Sequence, residues 1–269
     1  RNNPMSACFP SIEITAHSQK GNSHALNEDS WGSYKNFVWV IDGASNPKTG
    51  SDEVVSFVNA LNAQLKDCAA NNPHASLATI LAASISATAQ TENVHASATV
   101  ALCRFNEDNF DYLVLGDAGI VFEDAESDIK LLQDTRLQEC AIEERKRYLD
   151  RLRAGATQDE IEKAHIALVE AESKLRNTTG GFWVAETDPN AAYHALHGNI
   201  EDAQYPVILG TDGFIGLARP SVLFSQARQA EGLPQKLAEV TDVLLPRSGK
   251  IDDATVIAVS PRTTDDRAK

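Results

Sequence analysis

Residues 37–41 are apolar without interruption and run straight into Asp42 and Gly43, giving FVWVIDG. Such a run, rich in aromatic and β-branched side chains, suits a strand covered on both faces. A strand with no solvent face has to sit inside a layered fold, with other elements stacked above and below it. The same apolar-to-acid ending recurs as VILGTDG at 207–213 and as LVLGD at 113–117. One Asp-Gly after a strand is a common turn, because glycine supplies the positive φ that turns need. Three strand-end aspartates in one chain ask for a further cause.

The 269 residues fit one large domain or two small ones and suffice for a substantial core. The formal charge of −14, from 38 acidic against 24 basic residues, argues against nucleic acid or an anionic membrane surface as the main partner. Cys8, Cys68, Cys103 and Cys140 are widely spaced with no CxxC, so neither a zinc site nor a disulfide framework is suggested. No apolar run approaches the roughly 18 residues of a membrane span. No signal-peptide pattern is visible, and a cytoplasmic protein is expected. Met5 is the only methionine, so residues 1–4 are expected to be foreign to the native chain, and a single domain is expected over 5–262.

Periodicity predicts strands at 12–18 and 37–41. A helix opens at Ser51, with Asp52 and Glu53 in its first turn and Val54, Val55, Val58, Leu61 and Leu65 as its apolar stripe. A second helix covers 77–91. Short strands at 98–105, 110–115, 119–123 and 129–132, separated by polar turns, read as an antiparallel meander. A charged helical hairpin then interrupts from about 135 to 176. It breaks at 154–157, and Thr157 with Glu160 forms a capping box for its second helix. Strands return at 182–185 and 207–210, helices at 221–230 and 234–244, and a final strand at 254–260. Strand blocks separated by helix pairs indicate an α+β layered domain rather than a βαβ wind.

The candidate carboxylates are Glu28, Asp29, Asp42, Asp117, Asp212, Asp252 and Asp253, each beside a predicted strand end. Gathering such anions unpaired costs several kcal/mol per charge, and divalent cations are the usual remedy. All-oxygen ligands favour Mg²⁺ or Mn²⁺ over zinc or copper. Two such ions about 3.5–4 Å apart would clamp a phosphoryl group and acidify a bridging water, which is the chemistry of phosphate-ester hydrolysis. The sequence has no phosphate-binding loop of the P-loop type, no cysteine-centred phosphatase loop and no DxDx[TV] run.

The ordered set NEDS, IDGAS, SATV, GDAG, GTDGF and DDATVIAV resembles the metal-dependent Ser/Thr protein phosphatases of the protein phosphatase 2C-like (PPM) family, bacterial type. The resemblance spans about 12 to 260. It implies a four-layer αββα sandwich, two antiparallel sheets flanked by helix pairs, with the inserted hairpin as a flap beside the active site. It implies hydrolysis of phosphoserine and phosphothreonine in proteins by a monomer that uses two Mn²⁺ or Mg²⁺ ions and a third, weaker one. By the same resemblance Asp42 bridges the two metals, and Asp42 and Asp212 act through the bridging water. Gly43 offers its carbonyl, Asp212 and Asp252 hold the first ion, and Glu28 holds the second. Asp117 serves the third ion, and Asp29 is a supporting neighbour.

Three positions depart from the pattern. His24 stands where many members carry an Arg that grips the substrate phosphate, so His24 is the candidate phosphate contact. Asp253 replaces the usual Asn, and Ala118 the usual Ser. His194 and His197 have a spacing that suits surface residues rather than a metal pair. The basic run ERKRYLDRLR at 144–153 reads as a solvated helix face, or as a guide for a phosphorylated peptide. Two rivals stay open: a non-catalytic phosphoprotein-binding relative, and a phosphatase for a small phosphorylated metabolite.

Overall fold

The computed structural model describes residues 11–44, 49–91, 96–231, 234–245 and 250–262. Cys8, Ser45, His95 and the expected domain start at 5–10 lie outside the described residues. In chain order β1 (Ile12–Gln19), β2 (Asp29–Tyr34) and β3 (Phe37–Ala44) lead to α1 (Ser51–Asn71) and α2 (Leu77–Thr91). Next come β4 (Ser97–Phe105), β5 (Asn109–Leu115), β6 (Gly119–Glu123) and β7 (Ile129–Gln133). The hairpin α3 (Ile142–Arg153) and α4 (Gln158–Ser173) follows, then β8 (Leu196–Glu201) and β9 (Gln204–Gly210). Last are α5 (Asp212–Ile215), α6 (Pro220–Gln229), α7 (Pro234–Leu244) and β10 (Ala254–Pro261).

The strands form two five-stranded antiparallel sheets, in the orders β1-β10-β9-β6-β7 and β2-β3-β4-β5-β8. Strand β3 shows why its apolar run is unbroken. Phe37, Trp39 and Ile41 pack outward on α1 and α2, against Phe57, Leu61, Ile80 and Leu81. Val38 and Val40 point inward, to the core between the sheets with Phe110, Ile120, Leu209 and Ile257. The other sheet buries Val121, Ile208 and Val256 beneath α5, α6 and α7 through Phe214, Leu223 and Leu237. This is the expected αββα sandwich. Among the described residues no helix is long and apolar enough to cross a membrane.

Antiparallel pairing gathers particular strand ends at one rim. Asp42 near the end of β3 pairs with Asp29 at the start of β2 and with Thr99 near the start of β4. Val100 faces Leu115, the last residue of β5, and Val256 faces Gly210, the last of β9. The residues just beyond β5 and β9, and those just before β10, therefore share that rim with Asp42.

Several expectations need correction. Residues 182–185 form isolated bridges, Ala98 to Ala185 and Arg176 to Phe182, rather than a strand. Phe182 and Val184 turn their side chains onto Cys140, Leu137 and Leu175 at the hairpin base, and that packing replaces a ladder. The α1 stripe runs through Phe57 rather than Val55, which is only half-buried. Strands β2 and β8 were not foreseen. Both are sheet edges with polar sequences, DSWGSY and LHGNIE, that are strands because a neighbour pairs with them. The capping box on α4 is present as expected, with Thr157 and Glu160 bonding reciprocally.

Candidate metal centre

Asp42, Asp117 and Asp212 bring one carboxylate oxygen each to within 4.8 Å of one another. Asp42 lies in β3 of one sheet, Asp117 in the turn that crosses from β5 of that sheet to β6 of the other, and Asp212 at the start of α5 just after β9, so the group spans the mouth of the sandwich. The turns that deliver them are sterically demanding. Gly116 has φ +77°, and a Cβ there would lie 2.5 Å from the Thr99 methyl. Gly213 passes so close to the Asp253 carbonyl oxygen that a Cβ would sit 1.9 Å from it. The Gln133 side chain donates to the Asp117 carbonyl at 2.6 Å and secures that turn from β7.

Around the triad lies a shell of polar ties. The Thr211 hydroxyl donates to Asp29 Oδ2 at 2.8 Å, across the two sheets, and itself accepts from the Thr255 amide at 3.0 Å. Thr255 Oγ1 lies 2.7 Å from Ser18 Oγ, which accepts from Asn27 Nδ2 at 3.0 Å. Asn27 Oδ1 then accepts the Asp29 amide at 3.0 Å. Asp29 is thereby a held, supporting carboxylate.

Glu28 is 2% exposed, and its Oε1 accepts from Ser51 Oγ at 2.6 Å. Its Oε2 is buried without a hydrogen-bond partner among the described residues. His24 Nδ1 is 3.6 Å from that Oε2 and 3.8 Å from Asp253 Oδ2, so this edge of the ring faces two carboxylates. Asp252 is exposed and accepts the Asp253 amide at 3.0 Å. Glu28 and Asp252 thus flank the triad rather than join its closest grouping.

The electrostatics follow from this crowding. Burial pushes Asp42 well above the usual carboxylate range, and the charges of Asp212, Asp29 and Asp117 push it further. Burial, with Asp212 next, raises Asp117 to about 7. Asp29 is also raised to about 7 by burial, against the lowering effect of the Thr255 and Thr211 hydroxyls. Burial raises Asp212, with Asp252 adding to it, and burial raises Glu28 against the Ser51 hydrogen bond and His24. Among the described residues, the charged groups that act most on Asp42, Asp117 and Asp212 are other carboxylates. An all-oxygen, anion-only donor set, with an orphaned buried oxygen on Glu28 beside it, fits hard divalent cations such as Mg²⁺ or Mn²⁺.

The hairpin base adjoins this rim on the Asp117 side. Buried Asp134, which contributes to the charge felt by Asp117, pairs with Arg136 at 2.5 Å. Arg136 Nη2 also donates to the His194 carbonyl at 2.6 Å. The exposed His194 ring stacks on Trp183 with centroids 3.6 Å apart. Arg136, Glu139, Cys140, Gly180, Trp183 and His194 line a cleft of about 420 Å³. The basic run is a paired solvated face: Arg145 bonds Glu172, Lys146 bonds Asp150, and Arg151 bonds Glu160. The roles of Thr211, Thr255, Ser51 and Gln133 went unread in the sequence. Thr211 and Thr255 stand inside GTDGF and DDATVIAV, and that adjacency was the available signal.

A family profile described as protein phosphatase 2C matches residues 15–248. No curated protein sequence matches the chain significantly. Among solved structures, the Mycobacterium tuberculosis serine/threonine phosphatase PstP/Ppp is similar at 17% identity and TM-score 0.58, covering 94% of this chain and 99% of that one. The Staphylococcus aureus serine/threonine phosphatase Stp1 is similar at 13% identity and TM-score 0.62, covering 98% and 100%. The catalytic domain of PstP, solved with two manganese ions, is similar at 18% identity and TM-score 0.56, covering 93% and 97%.

Proposed function

Because the chain belongs to the protein phosphatase 2C family, whose class of activity is metal-dependent Ser/Thr dephosphorylation, we propose that it hydrolyses phosphoserine and phosphothreonine in proteins at the acidic rim. The observation that carries the reading is the triad of Asp42, Asp117 and Asp212, gathered at strand ends of both sheets, each raised in pKa first by burial and further by neighbouring carboxylates. On this reading Asp42, Asp212, Asp252 and Glu28, with the Gly43 carbonyl, hold two Mn²⁺ or Mg²⁺ ions, and Asp117 holds a third more loosely. When bound, such ions neutralise the carboxylates, polarise the phosphoryl oxygens and supply an acidified water as nucleophile. Asp42, in β3, and Asp212, at the start of α5, would hold the ions that supply that water. Asp29, fixed by Thr211, adds negative charge that strengthens cation binding. His24, with Nδ1 turned to Glu28, presents its other ring nitrogen to the phosphate. The cleft beneath the hairpin receives residues of the protein substrate flanking the phosphorylated one.

Turnover of p-nitrophenyl phosphate and of a phosphothreonine peptide tests the proposal. Both should require Mn²⁺ or Mg²⁺, stop with chelator and survive thiol alkylation. A panel of phosphorylated metabolites turned over faster than phosphopeptides would contradict the protein-substrate reading, and no turnover of any of them would favour a binding role.

A further inference from the structure

We propose that Asp253 is a positioning residue, whose two carboxylate oxygens clasp the β1–β2 loop to the start of β10 and so set Glu28 and Asp29 against the acidic residues of the opposite sheet. Asp253 is 3% exposed. Its Oδ1 accepts the Gly21 amide at 2.8 Å and its Oδ2 accepts the Glu28 amide at 2.7 Å. The two amides bracket the loop that carries His24, at its second and last residues. The far side of the Glu28 peptide is held as well, because its carbonyl accepts the Gly43 amide at 3.1 Å. Glu28 is therefore fixed between β10 of one sheet and β3 of the other. The next residue, Asp29, starts β2 opposite Asp42.

The residue type matters. A carboxylate presents an acceptor at each end, and charge-assisted bonds from two amides offset its burial. An asparagine presents one acceptor and one NH₂ group, so at 253 it would set N–H against N–H at either Gly21 or Glu28. Aspartate at 253, where the sequence resemblance leads one to expect asparagine, is what this two-amide clasp requires. Gly21 is part of the same fit, because a Cβ there would lie 2.3 Å from the Ile251 carbonyl oxygen. A second tie in the same loop does not touch Glu28: the Ile251 amide donates to Asn22 Oδ1 at 2.7 Å. This inference rests on Glu28 being a metal ligand, as proposed above.

Calorimetric Mn²⁺ titration of the full chain, with melting temperatures, separates positioning from mere stability. Asp253→Asn should weaken Mn²⁺ binding by about 10-fold or more, the range seen when groups that orient a ligand are lost. Glu28→Gln should do the same. Asn22→Ala should lower the melting temperature and leave Mn²⁺ affinity unchanged. Wild-type affinity in Asp253→Asn alongside weakened binding in Glu28→Gln would overturn the role of Asp253 alone. Unchanged affinity in Glu28→Gln would overturn the ligand assignment and the role of Asp253 with it. Equal weakening in Asn22→Ala would make Asp253 an ordinary structural tie. Should Asp253→Asn fail to fold, amide exchange in the wild type decides. The Gly21 and Glu28 amides should exchange as slowly as those of β10, and exchange at open-loop rates would refute the clasp.

Discussion

The acidic rim and the helical hairpin are held in opposite ways. At the rim, Asp42 lies near the end of β3, and Asp117 and Asp212 just beyond the buried ends of β5 and β9, while Thr211 and Asp253 tie one sheet to the other. In the hairpin, α3 buries no residue and α4 only Ala164 and Leu168. Ion pairs such as Lys146–Asp150 and Lys163–Asp159 run along its surface, and exposed pairs of that kind are worth roughly 0–1 kcal/mol each. Ile142, Leu149, Leu152 and Ile166 stay exposed on it. Chemistry that needs sub-ångström placement sits where packing leaves the chain no alternative. On the proposed reading, so sparsely buried a part suits substrate selection rather than cleavage.

The largest expected effect puts that contrast to a direct test. Asp42→Ala and Asp212→Ala should each lower kcat by on the order of 10³-fold or more, since on the proposed reading each removes a ligand of a catalytic cation. A chain in which residues 142–173 are replaced by a short Gly-Ser linker should keep most of its p-nitrophenyl phosphate turnover and lose discrimination among phosphopeptides. Equal collapse of all three variants, with the linker variant folded, would erase the distinction between the two regions.

The next effect concerns the metal-free protein. Asp117 rises from 3.8 to about 7 on folding, so its contribution to stability is fully present below about pH 4 and is lost as pH rises through 7. In chelator, Asp117→Asn should therefore be more stable than the wild type, by on the order of 4 kcal/mol at pH 8 and by nothing measurable near pH 4. Mn²⁺ should reverse that order at pH 8. A wild type that is the more stable protein in chelator at pH 8 would contradict the crowded-carboxylate account. Activity in Asp117→Asn should need several-fold more Mn²⁺, consistent with a looser third ion.

The sequence made the rim legible for a physical reason. A strand covered on both faces has to be apolar throughout, as in 37–41, so an aspartate at its end stands out. Asp42, Asp117 and Asp212 were readable in this way. Strands β2 and β8 were not, because an edge strand takes its conformation from its neighbour, and DSWGSY carries no alternation of its own. The 182–185 stretch has strand-like residues but spends them on Cys140 and Leu175, a tertiary choice that local pattern does not encode. Asp253 was visible as a departure from a family pattern, yet its role needed Gly21 and Glu28 brought beside it from more than 200 residues away. The hairpin was legible as helices through its capping box, and its cleft was not, because Trp183 and His194 meet there only in three dimensions.

The smallest effect belongs to His24. With Nδ1 beside Glu28 and Asp253, His24→Ala should raise KM for a phosphopeptide several-fold with a smaller change in kcat, the mark of lost ground-state binding. His24→Arg should restore affinity and flatten its pH dependence between roughly 6 and 8, because guanidinium stays charged throughout. Identical KM values and pH profiles for all three proteins would assign phosphate anchoring to another group.

Anomalous scattering from manganese-soaked crystals bears most directly on the strand-end carboxylates as a metal centre. At least two peaks should lie at the mouth of the sandwich, with Asp42 touching both, Asp212 on one and Asp117 beside a weaker third. A rim without peaks at saturating Mn²⁺, or one whose carboxylates have turned to lysine and arginine partners, would contradict it.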